Sequence, residues 1–261
     1  GGTWQLQAAL TSGATRTATL TAGTLDLASY TLTTGIFNSS NSNTRTLAFA
    51  SAGKIVATGN NTTVCITSTA TGLTVTGSGR VEFNYSGSVG TRTISGALTA
   101  TTIEGTNLLD YYITAGTDII LFTAARSYGN IDFSNGGTST FAGSLSAPTN
   151  SISFYGNLIF NSAMSIGSGT DVAIMKATSG TKTITSAGKT LDFPLTFDGI
   201  GGTWSCTDAL TLGSTQTLTM TNGTLQLKSG VTSTVGAFAT SGTNQKYLQS
   251  TTPGTQATIS D

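Results

Sequence analysis

The stretch Gly201-Gly202-Thr203-Trp204 repeats Gly1-Gly2-Thr3-Trp4 after 200 residues, and this repetition decides the fold class. Sixteen of the first 27 residues are identical to the residue 200 positions later. The similarity extends further, so that residues 1–50 as a whole resemble residues 201–250. Long-range self-similarity in a Gly- and Thr-rich chain is typical of a solenoid, in which each unit buries its apolar face against its neighbours. We therefore expect one elongated repeat domain over residues 1–261.

The rows Thr15–Thr21 and Thr215–Thr221 place threonine at every second position. This alternation is typical of strands that point one side chain inward and the next outward. Short strands between Gly, Asn and Ser turns, together with the long-range repeat, predict an all-β fold: a single-stranded, right-handed parallel β-solenoid, or β-helix. The interior side chains predicted by the two rows are Ala18, Leu20, Leu218 and Met220.

Charged residues are scarce and balanced, at 8% of the chain with 11 basic and 11 acidic side chains. Nucleic acids and anionic membranes need clustered Lys or Arg, so neither is an expected partner. No apolar run of 18 residues is present, which predicts no membrane insertion. Because the chain starts inside a repeat and without methionine, we expect it to be part of a longer protein.

The absence of histidine removes the commonest general base and metal ligand, so we predict no enzyme activity, no metal and no cofactor. A pair of carboxylates could still hydrolyse glycans, which keeps a glycan-degrading spike as an alternative. Asp26, Glu82, Asp132 and Asp192, however, each lie between two apolar residues. This repeated placement predicts outward, solubilising charges on strands.

Aromatic residues give the candidate ligand contacts and part of the repeat framework. Tyr111, Tyr112 and Tyr128 cluster in the least repetitive region, 104–130, where we expect any ligand, such as a host surface glycan, to bind. Trp4 and Trp204 hold equivalent places, which favours large core or corner residues over sugar-stacking faces. The predicted structural anchors of the repeat are Trp4, Trp204, Leu25, Leu27, Leu225 and Leu227.

Two further features have simple interpretations and open alternatives. Cys65 and Cys206 are expected to be inert core thiols, with a disulfide or a reactive thiol as the alternative. The threonine rows are also compatible with an ice-binding face, but such a face needs the motif on every coil at constant spacing.

Several segments resemble the Thr/Gly-rich repeat proteins of aquatic bacteriophages. The likeness is carried by 1–4, by the threonine row 15–21 with Gly-Thr-Leu-x-Leu after it, by Ser-Ala-Gly-Lys-Thr-Leu-Asp-Phe-Pro-Leu-Thr-Phe at 186–197, and by 37–45 and 231–248. The resemblance implies a structural component of the virion, such as a tail or head fibre or an adhesin.

From the repeat and the resemblance together we expect a non-enzymatic module that spaces or presents an attachment element on a virion, outside the cell. Other virion proteins or further copies of the chain, for example in a homotrimer, are the expected partners. The alternative is an adhesin or a secreted passenger domain at the bacterial cell surface.

Overall fold

A computed structural model describes residues 1–50, 52–59, 66–69, 71–77, 79–84, 91–95, 110–115, 119–123, 127–144 and 152–261. Within these ranges the regular structure consists of strands without a helix, and every strand pairing is parallel. The strands stack as successive coils, so the predicted parallel β-solenoid is confirmed.

The strands are short, apart from two that run on for more than ten residues. The first are β1 (Thr3–Gln5), β2 (Leu10–Thr11), β3 (Thr17–Thr19), β4 (Gly23–Asp26), β5 (Thr31–Thr34), β6 (Ile36–Ser39), β7 (Arg45–Ala48), β8 (Lys54–Ala57), β9 (Ile66–Ser68) and β10 (Leu73–Thr76). Next come β11 (Arg80–Asn84), β12 (Thr91–Ser95), β13 (Asp110–Ala115), β14 (Ile119–Thr123), β15 (Ser127–Tyr128), β16 (Ile131–Asp132), β17 (Thr140–Ser144), β18 (Ile152–Phe154), β19 (Leu158–Ile159) and β20 (Ser165–Ile166). The last are β21 (Ala173–Met175), β22 (Thr181–Thr185), β23 (Thr190–Leu191), β24 (Leu195–Cys206), β25 (Thr211–Leu212), β26 (Thr217–Leu227), β27 (Thr232–Thr234), β28 (Ala237–Thr240), β29 (Lys246–Ser250) and β30 (Thr258–Ser260).

The pairing order shows that each coil has three sides. Strand β1 pairs with β4, β4 with β7 and β7 with β10, so each strand meets the third one after it. The series that start at β2 and at β3 follow the same rule. It holds again from β13, β14 and β15 onward. One circuit of three strands therefore makes one coil, and the next coil lies directly on it.

Stacking in register turns the period-two sequence pattern into columns of like side chains along the axis. The clearest column, here called the central column, contains one residue from each of nine consecutive coils. Its members are Leu10, Leu32, Ile55, Val81, Tyr111, Ile131, Leu158, Ile184 and Cys206. All except Leu10 are at most 4% exposed, and burial of each aliphatic member contributes about 1.5–3 kcal/mol relative to an exposed position.

The predicted inward positions of the two threonine rows also hold. Leu20, Leu218 and Met220 are buried, and Ala18 packs against the core. The threonines between them are exposed or half-buried. The alternation in the sequence therefore assigns the inner and outer faces of these strands correctly.

The two copies of the sequence repeat lie on neighbouring sides of the coil. Trp4 pairs with Leu25 and Trp204 with Leu225, so the local register is the same in both copies. Strand β1, however, belongs to the sheet of β4, β7 and β10. The second half of β24 pairs with β22, and both belong to the sheet that contains β2. The 200-residue block is therefore not a whole number of coils, contrary to a simple copying of complete coils.

Strands β24 and β26 each cover two sides, and glycines form the bend between the sides. The register between the two strands shifts from Asp198 to Thr203. At Gly223 the backbone has φ +81°, and a Cβ there would collide with the Gly199 carbonyl oxygen of the neighbouring coil. The bend therefore needs glycine both for its conformation and for the close approach of two coils.

We expect Gly223→Ala to lower the free energy of unfolding by more than Gly230→Ala. Gly230 also has a positive φ, of 73°, but a Cβ at this position would meet open space, so its replacement costs only about 1–2 kcal/mol of backbone strain. The collision at Gly223 adds about 1–3 kcal/mol. Guanidinium unfolding of both variants measures the difference, and equal losses would contradict the proposed close approach.

Candidate functional site

Two of the three candidate tyrosines lie in the core. Tyr111 belongs to the central column and is 1% exposed, and Tyr128 is 0% exposed. Their rings join an aromatic stack in which centroids are 6.2 Å apart from Phe83 to Tyr111, 5.7 Å from Tyr111 to Tyr128 and 6.0 Å from Tyr128 to Phe154. This placement corrects the ligand-contact prediction for Tyr111 and Tyr128, because a ligand on the surface does not reach them.

Tyr112 lies on the outer face of the same strand and is half-buried. The guanidinium of Arg80 stands 4.7 Å above the centre of its ring, a cation–π contact. Burial, followed by the charges of Asp110 and Asp132, raises the pKa of the Tyr112 hydroxyl. Because Arg80 occupies one face of the ring, a sugar could stack on that face only by displacing the guanidinium.

Arg80 also belongs to an ion-pair cluster on the outer face of neighbouring coils. Glu82 pairs with the Lys54 ammonium at 3.0 Å and with the Arg80 guanidinium. Only 6% of Glu82 is exposed, so it differs from the outward, solvated charge that the sequence predicted. Two cations neutralise the charge of this carboxylate, so Glu82 is not suited to act as one of a pair of catalytic acids.

The two tryptophans, equivalent in sequence, differ in exposure. Trp204 is 1% exposed and meets Phe197 edge to face at 6.4 Å, whereas Trp4 is 59% exposed. Strand β22 lies beside Trp204, but no described strand pairs with the outer edge of β1. Trp204 thus lies between β22 and β26, whereas Trp4 has only β4 beside it among the described strands.

The four leucines named as repeat anchors lie in the core or against it. Leu27, Leu225 and Leu227 are at most 2% exposed, and Leu25 packs against the core. They are structural residues and offer no group to a ligand.

A ladder of side-chain oxygens runs along the axis next to the central column. The Asn130 main-chain N–H donates to Asp110 Oδ1 at 2.7 Å, and the Asn157 N–H donates to Asn130 Oδ1 at 2.7 Å. The Thr183 N–H in turn donates to Asn157 Oδ1 at 2.8 Å. Each rung therefore satisfies a main-chain donor of the next coil, directly before β16 and β19 and inside β22.

This ladder is not among the features predicted above, although the sequence contains a signal for it. Two of the three Gly-Asn dipeptides of the sequence, at 129–130 and at 156–157, stand directly before an apolar-x-Phe unit. A second ladder joins Asp198, Asn222 and Asn244 through side-chain amide donors at 2.6 and 2.8 Å. Both ladders bind one coil to the next and leave no oriented group for a substrate.

A buried cation closes one corner of the coil near β7. Arg45 is 1% exposed, and burial lowers the pKa of its guanidinium. Its hydrogen-bond acceptors are the Ser39 hydroxyl and the carbonyl oxygens of Ser39, Asn43, Thr69 and Thr71. The guanidinium thus bridges two successive coils through main-chain oxygens.

Cys206 is the last member of the central column and has no disulfide partner. Burial, with a smaller effect of the Asp208 charge, raises the pKa of its thiol to about 12. A thiol with this pKa is protonated at neutral pH and does not act as a nucleophile. The prediction of an inert core thiol is confirmed for Cys206, and Cys65 lies outside the described residues.

Among the described residues, no group of three or more Asp, Glu or Cys side chains is placed to hold a metal ion. The same part of the chain has no helix that is long and apolar enough to cross a membrane. Comparison with protein-family models, with curated proteins and with solved structures finds no match for this chain.

We expect Tyr111→Phe to raise the free energy of unfolding by about 1 kcal/mol, because the buried Tyr111 hydroxyl has no hydrogen-bond partner among the described residues. The adjacent Tyr112→Phe is the matched control. It removes a hydroxyl that is hydrogen-bonded to Arg80 at the surface, so it should lower stability slightly. Chemical unfolding gives both values, and a large loss in Tyr111→Phe would mean that its hydroxyl has a partner.

The thiol of Cys206 should make the folded chain less stable in alkali. Because the folded pKa lies near 12, the unfolded chain releases this proton first, and stability falls as the pH rises from the ordinary thiol value of about 8.5. The expected loss between pH 8.5 and 9.5 is about 1 kcal/mol, because the unfolded thiol is only half ionised where this window begins. Unfolding between pH 8.5 and 9.5 measures it, and Cys206→Ala should remove this loss.

A thiol reagent provides an independent check. In a Cys65→Ser background, where Cys206 is the only thiol, no thiol should react in the folded protein at pH 8 and one should react after unfolding. Rapid reaction of the folded protein would contradict the buried position of Cys206.

Proposed function

We propose that this chain is a non-enzymatic structural module of a virion appendage, such as a tail or head fibre, which spaces or presents an attachment element. The supporting observation is the continuity of the stack. Parallel pairing leads from coil to coil along one axis, and the central column follows it through nine coils. Such a chain is suited to holding two points at a fixed separation.

Stiffness follows from the direction of the hydrogen bonds. Main-chain bonds between parallel strands lie along the solenoid axis, so bending or stretching the rod strains many of them together. The ladder of Asp110, Asn130 and Asn157 adds side-chain bonds in the same direction. Buried apolar columns connect all coils into one core, which opposes the separation of any two of them.

The virion is proposed because the sequence resembles the Thr/Gly-rich repeat proteins of aquatic bacteriophages. On this proposal the chain works outside the cell, attached to other virion proteins. A bacterial surface adhesin or secreted passenger domain with the same fold is the second candidate, because it would use the rod in the same mechanical way.

The two remaining alternatives receive little support from the geometry. A glycan-degrading spike needs two free carboxylates across a groove, and Glu82 is not a free carboxylate, because it is paired with two cations. An ice-binding face needs two threonine columns side by side. Strands β1, β4, β7 and β10 form one column, of Thr3, Thr24, Thr46 and Thr74, but its outward neighbours are Gln5, Asp26, Ala48 and Thr76.

Antibodies against residues 1–261 should label an appendage of virus particles from the source that encodes the chain. Electron microscopy of gold-labelled particles and of the host cells is the measurement, with pre-immune antibodies as the control. Label on the cell envelope in uninfected cells would favour the adhesin instead. Label on neither structure would overturn the proposal.

A further inference from the structure

We infer that two copies of this chain associate side by side, as parallel rods in register, through one face of the solenoid. This face is the outer surface of the side that carries the central column, and it is here called the column face. The inference goes beyond the proposed spacing function, which a single rod performs. Its contact is isologous, so the same surface of each copy takes part and two copies complete the assembly.

Two columns of outward side chains form the column face, one on each side of the central column from Leu32 to Ile184. The first outer column contains the residues directly before the central ones: Thr31, Lys54, Arg80, Asp110, Asn130, Asn157 and Thr183. The second contains the residues directly after them: Thr33, Val56, Glu82, Tyr112, Asp132, Ile159 and Thr185. All of them are half-buried or exposed, apart from Val56 and Glu82.

Charge is concentrated in the middle of the column face. Charged residues make up only 8% of the chain. Of the eight outer-column residues in the four coils from β8 to β16, however, five are charged: Lys54, Arg80, Glu82, Asp110 and Asp132. Towards both ends of the face the two columns carry threonine instead. Since threonine already keeps the rest of the rod hydrated, this concentration favours a partner with a matching pattern of charge.

A second copy has the matching pattern. A two-fold axis parallel to the rods and above the central column exchanges the two outer columns, so the first column of one copy faces the second column of the other, coil by coil. In the coil of β11, Arg80 faces the partner's Glu82, a cation against an anion. The Arg80 side chain is 45% exposed, so its guanidinium can contact this carboxylate while it stays paired with Glu82 of its own chain.

The next two coils have complementary hydrogen-bonding groups. In the coil of β13, the Asp110 carboxylate faces the partner's Tyr112, whose hydroxyl is a donor. In the coil of β16, the Asn130 amide faces the partner's Asp132. One N–H of this amide donates to Asp110 of its own chain at 2.7 Å, and the other is able to donate to the partner's carboxylate. The symmetry makes each of these contacts twice.

The charge pattern selects parallel over antiparallel rods. In the parallel pair no coil of the column face sets two like charges against each other. Antiparallel rods are related by an axis parallel to the strands, which places each outer column on itself. One such alignment brings Glu82 onto the partner's Asp132, and the alignment shifted by one coil brings Asp132 onto the partner's Val56. Like charges, or a carboxylate that loses water without gaining a donor, oppose association.

The size of the column face is sufficient for a stable dimer. The central column extends through nine coils. At about 4.8 Å per coil the face is about 40 Å long, and strands of four to five residues make it about 15 Å wide. Two such faces bury about 1,200 Å² together, which is the lower end of the range for specific interfaces.

The test uses two double variants in the coil of β22. One is Thr183→Lys with Thr185→Lys, and the other is Thr183→Asp with Thr185→Asp. Both leave the charged coils unaltered, because β22 lies two coils beyond Asp132. In the parallel dimer this coil meets its own counterpart, so each variant repels itself and attracts the other. The matched control is Thr217→Lys with Thr219→Lys, which adds the same charges at half-buried outward positions on the neighbouring side.

Sedimentation equilibrium over a concentration series measures the assembly, and thermal circular dichroism verifies that each variant folds. The unaltered chain and the control should reach twice the monomer mass of 26.4 kDa and no more. Each of the two variants alone should have a dimer dissociation constant raised about tenfold or more by like-charge repulsion. An equimolar mixture of the two should dimerise again.

Arg80→Gln provides a second test that leaves β22 unaltered. It removes the cation that faces the partner's Glu82, so it should also weaken the dimer. An unaltered chain that stays monomeric or forms a trimer would overturn the inference, as would a lysine variant at Thr183 and Thr185 that dimerises as well as the control. Each of these results leaves the proposed spacing function standing, because one rod is enough for it.

Discussion

Parallel hydrogen bonding between successive coils is the constraint on which the rest of this structure depends. Once strands such as β5 and β8 pair in register, each position of a coil belongs to a column that continues through its neighbours. A column must therefore be apolar throughout, as from Leu32 to Ile184, or must carry groups that bond to each other. The composition of the chain, with its alternating threonines and aliphatic residues, follows from this requirement.

Several polar groups enter the interior where the main chain turns between sides. There the carbonyl and N–H groups leave the regular pairing and need other partners. Arg45 supplies donors to carbonyl oxygens of two coils, and Asn130 and Asn157 supply acceptors to main-chain N–H groups. Corners are thus bound together by side chains, whereas the sides are bound by the backbone.

The fold could be predicted from the sequence because period-two alternation and the long-range repeat are both visible in the order of the residues, without knowledge of the tertiary structure. Buried Leu218 and Met220 follow directly from them. The exposure of Trp4 could not be predicted in this way, because it depends on which coil lies beside β1 and not on the residue itself. The rotation of one repeat copy to the neighbouring side also escaped the sequence, since it depends on the length of every intervening turn.

The candidate site was harder to predict than the fold. Tyr111 and Tyr112 are adjacent and chemically alike, yet strand alternation sends the first ring into the core and the second to the surface. Region 104–130 lacks the repeat pattern that shows, elsewhere in the chain, which residues of a strand point inward. The sequence therefore could not tell which of the two tyrosines points inward and which outward. Glu82 was misjudged for a related reason: its two cationic partners, Lys54 and Arg80, come from its own coil and the one before it.

The scarcity of charge has a consequence for the medium in which such a rod works. Within the described residues Glu82 forms ion pairs with Lys54 and Arg80, while most of the cohesion comes from apolar columns and uncharged hydrogen bonds, with Arg45 as a shielded exception. Dissolved salt screens exposed charges and hardly affects neutral contacts. The molecule is therefore built to keep its shape across a wide range of salinity, from dilute fresh water to brine.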